Sequence, residues 1–183
     1  MLRHFIDQLR QTPPLERGEP GMAGLLSTAS ATSIAFPLIS RPNGYTRICA
    51  YRDERFEVVL LNWAPGAASP IHDHGDQHCW MAVLDGRLEV EDFERLDAGD
   101  VPGYARVETR DTHVLEPGQF DLRSGRFALH RVGATRNASA LSLHVYSLPL
   151  RAYLVYDETA RRCETAVGKY DEVLPVYTDG GGH

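Results

Sequence analysis

From residue 45 onward the sequence is a series of short strand-like runs, and this pattern constrains the fold more than any other feature. β-Branched and aromatic residues alternate with polar ones, and turn residues separate the runs, which is typical of an all-β sandwich or barrel. The dipeptide Asp85-Gly86 is a two-residue hairpin signal, so we expect the strands on either side of it to be neighbours. A tight turn over 52–55 should pair the first two strands. The predicted strands are Tyr45–Tyr51, Phe56–Trp63, Trp80–Leu84, Arg87–Phe93, Thr112–Leu115, Arg126–Val132, Leu141–Ser147 and Tyr153–Tyr156.

The residues ahead of these strands are predicted to be helical. Apolar residues recur at helical spacing over Leu2–Leu9, and Pro13-Pro14 ends that pattern. A second helix is expected over Met22–Ala31. A chain of 183 residues is long enough for one domain with its own core. We therefore predict a single domain over 1–183, with a short helical cap over 1–40 and a β-barrel over 45–170.

Composition and charge exclude several classes of protein. The chain carries 19 Lys and Arg against 25 Asp and Glu, a net charge of −6, without the basic cluster that phosphate-backbone binding requires. No segment approaches the roughly 20 apolar residues of a membrane span, and charges interrupt the first residues, unlike a secretory leader. The 3 cysteines form no CxxC pair and fit a reducing compartment. We expect a cytoplasmic monomer with neither a nucleic-acid nor a membrane partner.

Histidine spacing supplies the main functional signal. His72 and His74 flank Asp73, and residues two apart in an extended chain point to one face, about 6.6 to 6.8 Å apart. His130 lies in a separate predicted strand that can supply a third ligand across the barrel. Three neutral imidazoles suit zinc, copper, iron or nickel. Each histidine taken alone also fits an ordinary surface or hydrogen-bonded residue.

A polar stripe follows one predicted strand. Over Leu141–Ser147 the residues alternate strictly, and Ser142, His144 and Tyr146 share one face. On a half-buried strand this face points to solvent, whereas inside a small barrel it forms an inward chain of hydrogen-bonding groups. The pattern alone leaves both possibilities open.

These residues together resemble a known family. Gly66, His72-Asp73-His74, Cys79 and Gly86 follow the first motif of the cupins, with Cys79 at the usual carboxylate position. Within the cupins, the stretch from Tyr45 to Leu150 resembles cysteine dioxygenase, of the type with arginine at the substrate-carboxylate position, as in some bacterial members. The residues that carry this likeness are Tyr45-Thr46-Arg47, Trp63, His72-Asp73-His74, His78-Cys79, His130-Arg131-Val132 and Ser142-Leu143-His144-Val145-Tyr146-Ser147.

The resemblance implies a fold and a reaction. The fold would be a small, jelly-roll-like cupin barrel. Fe²⁺ would be held by His72, His74 and His130, and L-cysteine would react with O₂ to give cysteine sulfinic acid. A site without a carboxylate ligand would gain its negative ligand from the substrate thiolate.

It also implies roles for the residues around the metal. Arg47 would hold the substrate carboxylate, and Tyr45 and Trp63 would help to wall the pocket. Tyr146 would direct its hydroxyl at the bound substrate, with His144 and Ser142 orienting it. Cys79 would join Tyr146 through a thioether during turnover, or would stay a buried free thiol.

Three other functions fit the same sequence. A dioxygenase of 3-mercaptopropionate or another small thiol is closely related, although such enzymes usually carry glutamine where Arg47 stands. A three-histidine zinc hydrolase or lyase would use metal-bound water. A non-enzymatic, metal-binding cupin would hold a small ligand without turnover.

Overall fold

A computed structural model describes residues 2–12, 19–30, 41–126 and 128–174. Within these ranges the chain forms two helices followed by twelve strands. The helices are α1 (Leu2–Gln11) and α2 (Glu19–Ser30). The strands are β1 (Tyr45–Arg52), β2 (Glu57–Trp63), β3 (Ile71–His72), β4 (His78–Asp85), β5 (Leu88–Arg95), β6 (Val107–Leu115), β7 (Phe120–Ser124), β8 (Leu129–Ala134), β9 (Ala140–Tyr146), β10 (Ala152–Asp157), β11 (Arg162–Val167) and β12 (Glu172–Val173).

The strands form two six-stranded sheets that enclose the core. The first sheet has the order β12-β1-β2-β9-β4-β7, and the second has the order β11-β10-β3-β8-β5-β6. Inward side chains of both sheets, such as Leu61, Met81, Val90 and Val132, pack into one cluster between them. This arrangement confirms the prediction of a small all-β barrel.

The N-terminal helices cover the outer face of the first sheet. The buried apolar residues of α1 belong to one hydrophobic cluster with Phe56, Leu60, Leu143 and Val145. Because side chains alternate along a strand, the opposite face of β9 points into the barrel. The helical cap is confirmed over 2–11 and 19–30, whereas residues 1, 13–18 and 31–40, which were assigned to it, lie outside the described residues.

The predicted hairpin at Asp85-Gly86 is wrong. β4 pairs with β7 and β9 in the first sheet, while β5 pairs with β6 and β8 in the second. Gly86 has a φ of +71°, and a Cβ there would lie 2.2 Å from the Ser139 carbonyl oxygen. The dipeptide therefore marks a crossing between sheets at a point of close backbone approach. The other predicted turn is confirmed, since β1 and β2 pair antiparallel across residues 53–56.

Four strands lie outside the predicted set. These are β3, β7, β11 and β12, and in addition β8 begins at Leu129 rather than at Arg126. β7 lies at the edge of the first sheet, next to β4.

Among the described residues, no helix combines the length and the apolar character needed to cross a membrane.

Candidate metal centre and substrate pocket

A very short strand brings the two motif histidines into the barrel. β3 pairs with β8 so that His72 lies directly opposite His130, and it pairs with β10 on its other edge. Asp73, between the two histidines, is buried and accepts hydrogen bonds from the Leu154 N–H and the Tyr156 hydroxyl, both at 2.9 Å. Asp73 therefore anchors the motif to β10 and leaves both imidazoles free to face the interior.

The three predicted ligands form a compact triangle. The ring centroids are 5.0 Å apart for His72 and His74, 4.7 Å for His72 and His130, and 5.0 Å for His74 and His130. One nitrogen from each ring lies within 4.8 Å of the other two. The structure thus brings together two distant stretches of chain in the geometry of a shared metal site.

Burial keeps these imidazoles neutral, as metal ligation requires. Burial and the neighbouring His130 lower the pKa of His72 to about 3. The pKa of His74 is likewise held well below its usual value by burial and by the other two rings, and burial also lowers that of His130. Because the rings are uncharged, they can lie this close without repulsion between net charges, and each keeps a nitrogen lone pair for a metal.

Hydrogen bonding shows how the cluster fits a cation. His72 Nδ1 lies 3.0 Å from the Pro70 carbonyl oxygen, an acceptor only, so Nδ1 carries the proton and Nε2 keeps its lone pair. His74 Nδ1 is buried without a hydrogen-bond partner among the described residues. A set of three nitrogen donors of this kind fits iron, zinc, copper or nickel better than calcium or magnesium.

Arg47 lies on the wall of the pocket that adjoins this cluster. The pocket is lined by Tyr45, Arg47, Trp63 and Tyr146, together with His72, His130 and His144. The Nε and Nη2 atoms of Arg47 are buried and, within the described part of the chain, have no hydrogen-bond partner. Buried guanidinium donors without partners are costly. The pocket therefore suits a small ligand with an anionic group.

The polar stripe of β9 faces the interior, so the solvent-facing alternative is wrong. Ser142, His144 and Tyr146 are 0%, 5% and 2% exposed. Trp63 Nε1 donates to Ser142 Oγ at 2.9 Å, and the same oxygen lies 2.9 Å from His144 Nε2. The His144 ring stacks on Tyr146, with centroids 6.2 Å apart. Trp63 is therefore tied to the stripe as well as packing against Tyr45, whose ring centroid is 4.6 Å from its own.

Cys79 is a direct cross-strand neighbour of Tyr146. The two residues lie opposite each other in the β4–β9 pair, and Cys79 is 1% exposed. Its Sγ lies 4.0 Å from His144 Nδ1. Burial raises the pKa of the thiol, so Cys79 is protonated at neutral pH.

Two residues next to the cluster were not predicted from the sequence. Tyr153 on β10 lines the pocket, and its ring centroid lies 5.9 Å from that of His72. Its strand was predicted, but the direction of its side chain follows from the pairing of β10 with β3, which the local pattern does not show. Asp121, on the unpredicted strand β7, lies 3.3 Å from His130 Nδ1.

Comparison with known proteins agrees with this geometry. Residues 28–159 match the family described as "Cysteine dioxygenase type I". The chain belongs to this family. It is 31% identical over 126 residues to "Cysteine dioxygenase type 1" of Danio rerio, covering 66% of this chain and 61% of that protein. With the protein of the same name from Bos taurus it shares 30% identity over 105 residues, covering 57% of this chain and 50% of that protein. The chain thus spans about half to three-fifths of the length of these relatives.

A solved structure supports the fold. The chain superposes on an uncharacterised protein with a double-stranded β-helix domain from Klebsiella pneumoniae with a TM-score of 0.50 and 12% identity, covering 69% of this chain and 99% of that one. At this identity the likeness concerns the fold alone. It confirms the predicted cupin-type barrel, of which the double-stranded β-helix is the architecture.

Proposed function

We propose that this protein is a thiol dioxygenase that oxidises L-cysteine with O₂ to cysteine sulfinic acid. The proposed metal is Fe²⁺, held by His72, His74 and His130. The observation that supports this most is that two imidazoles of the three-histidine cluster, those of His72 and His130, line the same pocket as Arg47, whose Nε and Nη2 have no hydrogen-bond partner among the described residues. We further propose that the protein acts as a monomer in the cytoplasm.

The proposed reaction balances without a further reductant. A thiol, RSH, and O₂ combine to give RSO₂H, so both oxygen atoms end on sulfur. Sulfur gives up four electrons and O₂ accepts four. Ferrous iron, when bound, supplies the redox chemistry that the organic side chains lack.

Charge explains why three neutral ligands favour a thiol. Imidazoles leave the double positive charge of a ferrous ion uncompensated, whereas a thiolate from the substrate reduces it. Cys79 cannot take that place, because burial raises the pKa of its thiol and the side chain lies across from Tyr146 rather than in the triangle of histidines. The anionic sulfur therefore comes from the substrate.

Arg47 and Tyr146 place the rest of the substrate. A guanidinium offers two parallel N–H donors to a carboxylate, and Arg47 has two such nitrogens free. Burial raises the pKa of Tyr146 well above its usual value, so the phenol keeps its proton and acts as a hydrogen-bond donor. Ser142 and His144 restrict the ring that carries this donor, and Tyr45 and Trp63 exclude water from the pocket wall.

A thioether between Cys79 and Tyr146 is part of the proposal. Directly opposed residues in an antiparallel pair have Cβ atoms about 4.5 to 5.5 Å apart, close enough for side chains to meet. Forming a C–S bond to the phenol ring removes one hydrogen from each residue, and O₂ accepts them. The joined protein would weigh two hydrogens less than the unjoined chain.

Oxygen uptake with a panel of thiols tests the function. The protein is loaded with Fe²⁺ without oxygen, mixed with L-cysteine and air, and the product is identified by mass spectrometry. L-Cysteine should be turned over faster than 3-mercaptopropionate, which lacks the amine, and faster than cysteamine, which lacks the carboxylate. Preference for 3-mercaptopropionate would instead identify the closely related thiol dioxygenase.

The same assay separates the other two alternatives. Activity with Zn²⁺ and no oxygen uptake would establish a hydrolase or lyase. Binding of L-cysteine to the iron-loaded protein without any product would establish a non-enzymatic cupin. Either result would refute the proposed dioxygenase.

A further inference from the structure

A carboxylate lies directly behind one of the three histidines. Asp121 Oδ2 is 3.3 Å from His130 Nδ1, and the two side chains are only 11% and 2% exposed. Asp121 belongs to β7 in the first sheet and His130 to β8 in the second. The contact therefore connects the two sheets at the side of the barrel where the cluster lies.

An ion pair with Arg123 holds this carboxylate in place. Arg123 Nε donates to Asp121 Oδ2 at 2.7 Å, and Arg123 Nη1 lies 2.5 Å from Asp92 Oδ1. Asp92 is on β5, directly opposite His130 in the β5–β8 pair. Asp121 Oδ2 thus contacts both the Arg123 guanidinium and the His130 imidazole, which restricts rotation of the carboxylate. The Asp121 side chain therefore has one contact in the first sheet, with Arg123, and one in the second, with His130.

The position of Asp121 determines which nitrogen of His130 carries the proton. A neutral imidazole has one N–H donor and one lone pair, and a carboxylate is an acceptor only. Nδ1 facing Asp121 is therefore the protonated nitrogen, and Nε2 keeps its lone pair. His130 Nδ1 is buried and makes no hydrogen bond among the described residues, so its contact with Asp121 Oδ2 rests on the 3.3 Å distance and on the charge of the carboxylate.

The acceptor also differs from that of His72. His72 donates to the neutral carbonyl of Pro70, whereas His130 faces a carboxylate. Negative charge behind an imidazole strengthens its donation to a metal and offsets part of the charge that three neutral ligands leave uncompensated. The cluster thus has no carboxylate among its three ligands, but it has one, Asp121, in contact with the ligand His130.

We propose that Asp121, held by Arg123, is a positioning residue that fixes the orientation and the Nδ1-protonated form of His130 and so tightens metal binding by the three-histidine cluster. The proposal depends on the metal site of the proposed function. It does not depend on thiol oxidation.

Iron affinity is the first test. Fe²⁺ is titrated without oxygen into the full-length protein in competition with a chromophoric ferrous chelator. Asp121→Ala should bind Fe²⁺ about 10- to 100-fold more weakly than the wild type. Asp121→Asn keeps an oxygen acceptor of the same shape without the charge, and should lose several-fold. The control is Glu91→Gln, which removes the 3.2 Å ion pair between Glu91 on β5 and Arg131 on β8, the strand of His130. This variant should change the affinity for Fe²⁺ less than twofold.

The tautomer of His130 is the second test and needs no metal. With ¹⁵N-labelled histidine in the metal-free protein, the nitrogen shifts of His130 should show Nδ1–H in the wild type and in Asp121→Asn. Asp121→Ala should shift toward the other tautomer. A role for Asp121 in stability alone would leave these shifts unchanged.

The outcomes decide the proposal separately from the dioxygenase activity. Iron affinity of Asp121→Ala within twofold of the wild type, or an unchanged His130 tautomer in that variant, would overturn it. If Asp121→Ala does not fold, as judged by circular dichroism, Asp121→Asn decides, and an affinity equal to that of the wild type refutes the proposal. Both measurements are possible even if the protein oxidises no thiol.

Discussion

Replacing Arg47 should separate recognition of the substrate carboxylate from catalysis. Arg47→Met removes the guanidinium and keeps an unbranched apolar side chain. Two buried donors, Nε and Nη2, are free to bind an anionic group. A hydrogen bond to a charged group contributes about 1.5 to 3 kcal/mol, so two contribute about 3 kcal/mol at the low end. At about 1.4 kcal/mol per factor of ten, kcat/KM for L-cysteine should fall by roughly 100-fold or more.

The comparison substrate is cysteamine, which has the thiol and the amine of L-cysteine but no carboxylate. Its kcat/KM should change less than about threefold in Arg47→Met, because the lost donors have no partner on it. Arg47→Lys keeps the charge without the fork of donors and should lose about tenfold with L-cysteine. Arg52→Met, at the exposed end of the same strand, is the matched control and should have no effect on either thiol.

Initial rates of oxygen uptake with both thiols measure these effects. An equal loss with L-cysteine and cysteamine would refute the reasoning, because Arg47 would then act on the pocket rather than on the carboxylate. So would a loss of similar size in Arg52→Met.

Further substitutions and pH test the other roles. His130→Ala should lose iron, whereas Tyr146→Phe should keep iron and lose rate, as metal analysis beside oxygen uptake will show; the reverse pattern would contradict both roles. After turnover the intact wild-type protein should weigh two hydrogens less than before, whereas the mass of Cys79→Ser should stay the same. An unchanged mass of the wild type would exclude the thioether. Because burial lowers the pKa of His72 to about 3, the unfolded chain binds a proton that the folded chain does not between that value and the ordinary 6.5. The metal-free protein should therefore lose stability as pH falls from about 6.5 to 5, by about 1.4 kcal/mol per unit for each such histidine, in urea unfolding; a flat profile would contradict this.

Much of the site could be predicted from the sequence because its signals are local. The spacing of His72 and His74 places both rings on one side of an extended chain, whatever the rest of the fold. The alternation in β9 separates Ser142, His144 and Tyr146 from their apolar neighbours, although only the helices packed on Leu143 and Val145 show that the polar face is the inner one.

The features that could not be predicted, the crossing at Gly86 and the position of β7, depend on which strands pair. Asp85-Gly86 was predicted to be a two-residue turn, and Gly86 does have a positive φ, but a positive φ does not say whether the chain returns to the same sheet or crosses to the other one. β7 has few apolar residues and lies at a sheet edge, so nothing in its own sequence indicates that it passes beside His130. The contact between Asp121 and His130 therefore follows from the packing of the two sheets and not from the sequence near either residue.

Oxygen isotope labelling tests the central claim most directly. Protein loaded with Fe²⁺ without oxygen is mixed with L-cysteine under ¹⁸O₂, and the product mass is measured. We expect cysteine sulfinic acid that carries two ¹⁸O atoms, with no such product from His130→Ala. A product without ¹⁸O, or full labelled product from His130→Ala, would contradict a dioxygenase that works at these three histidines.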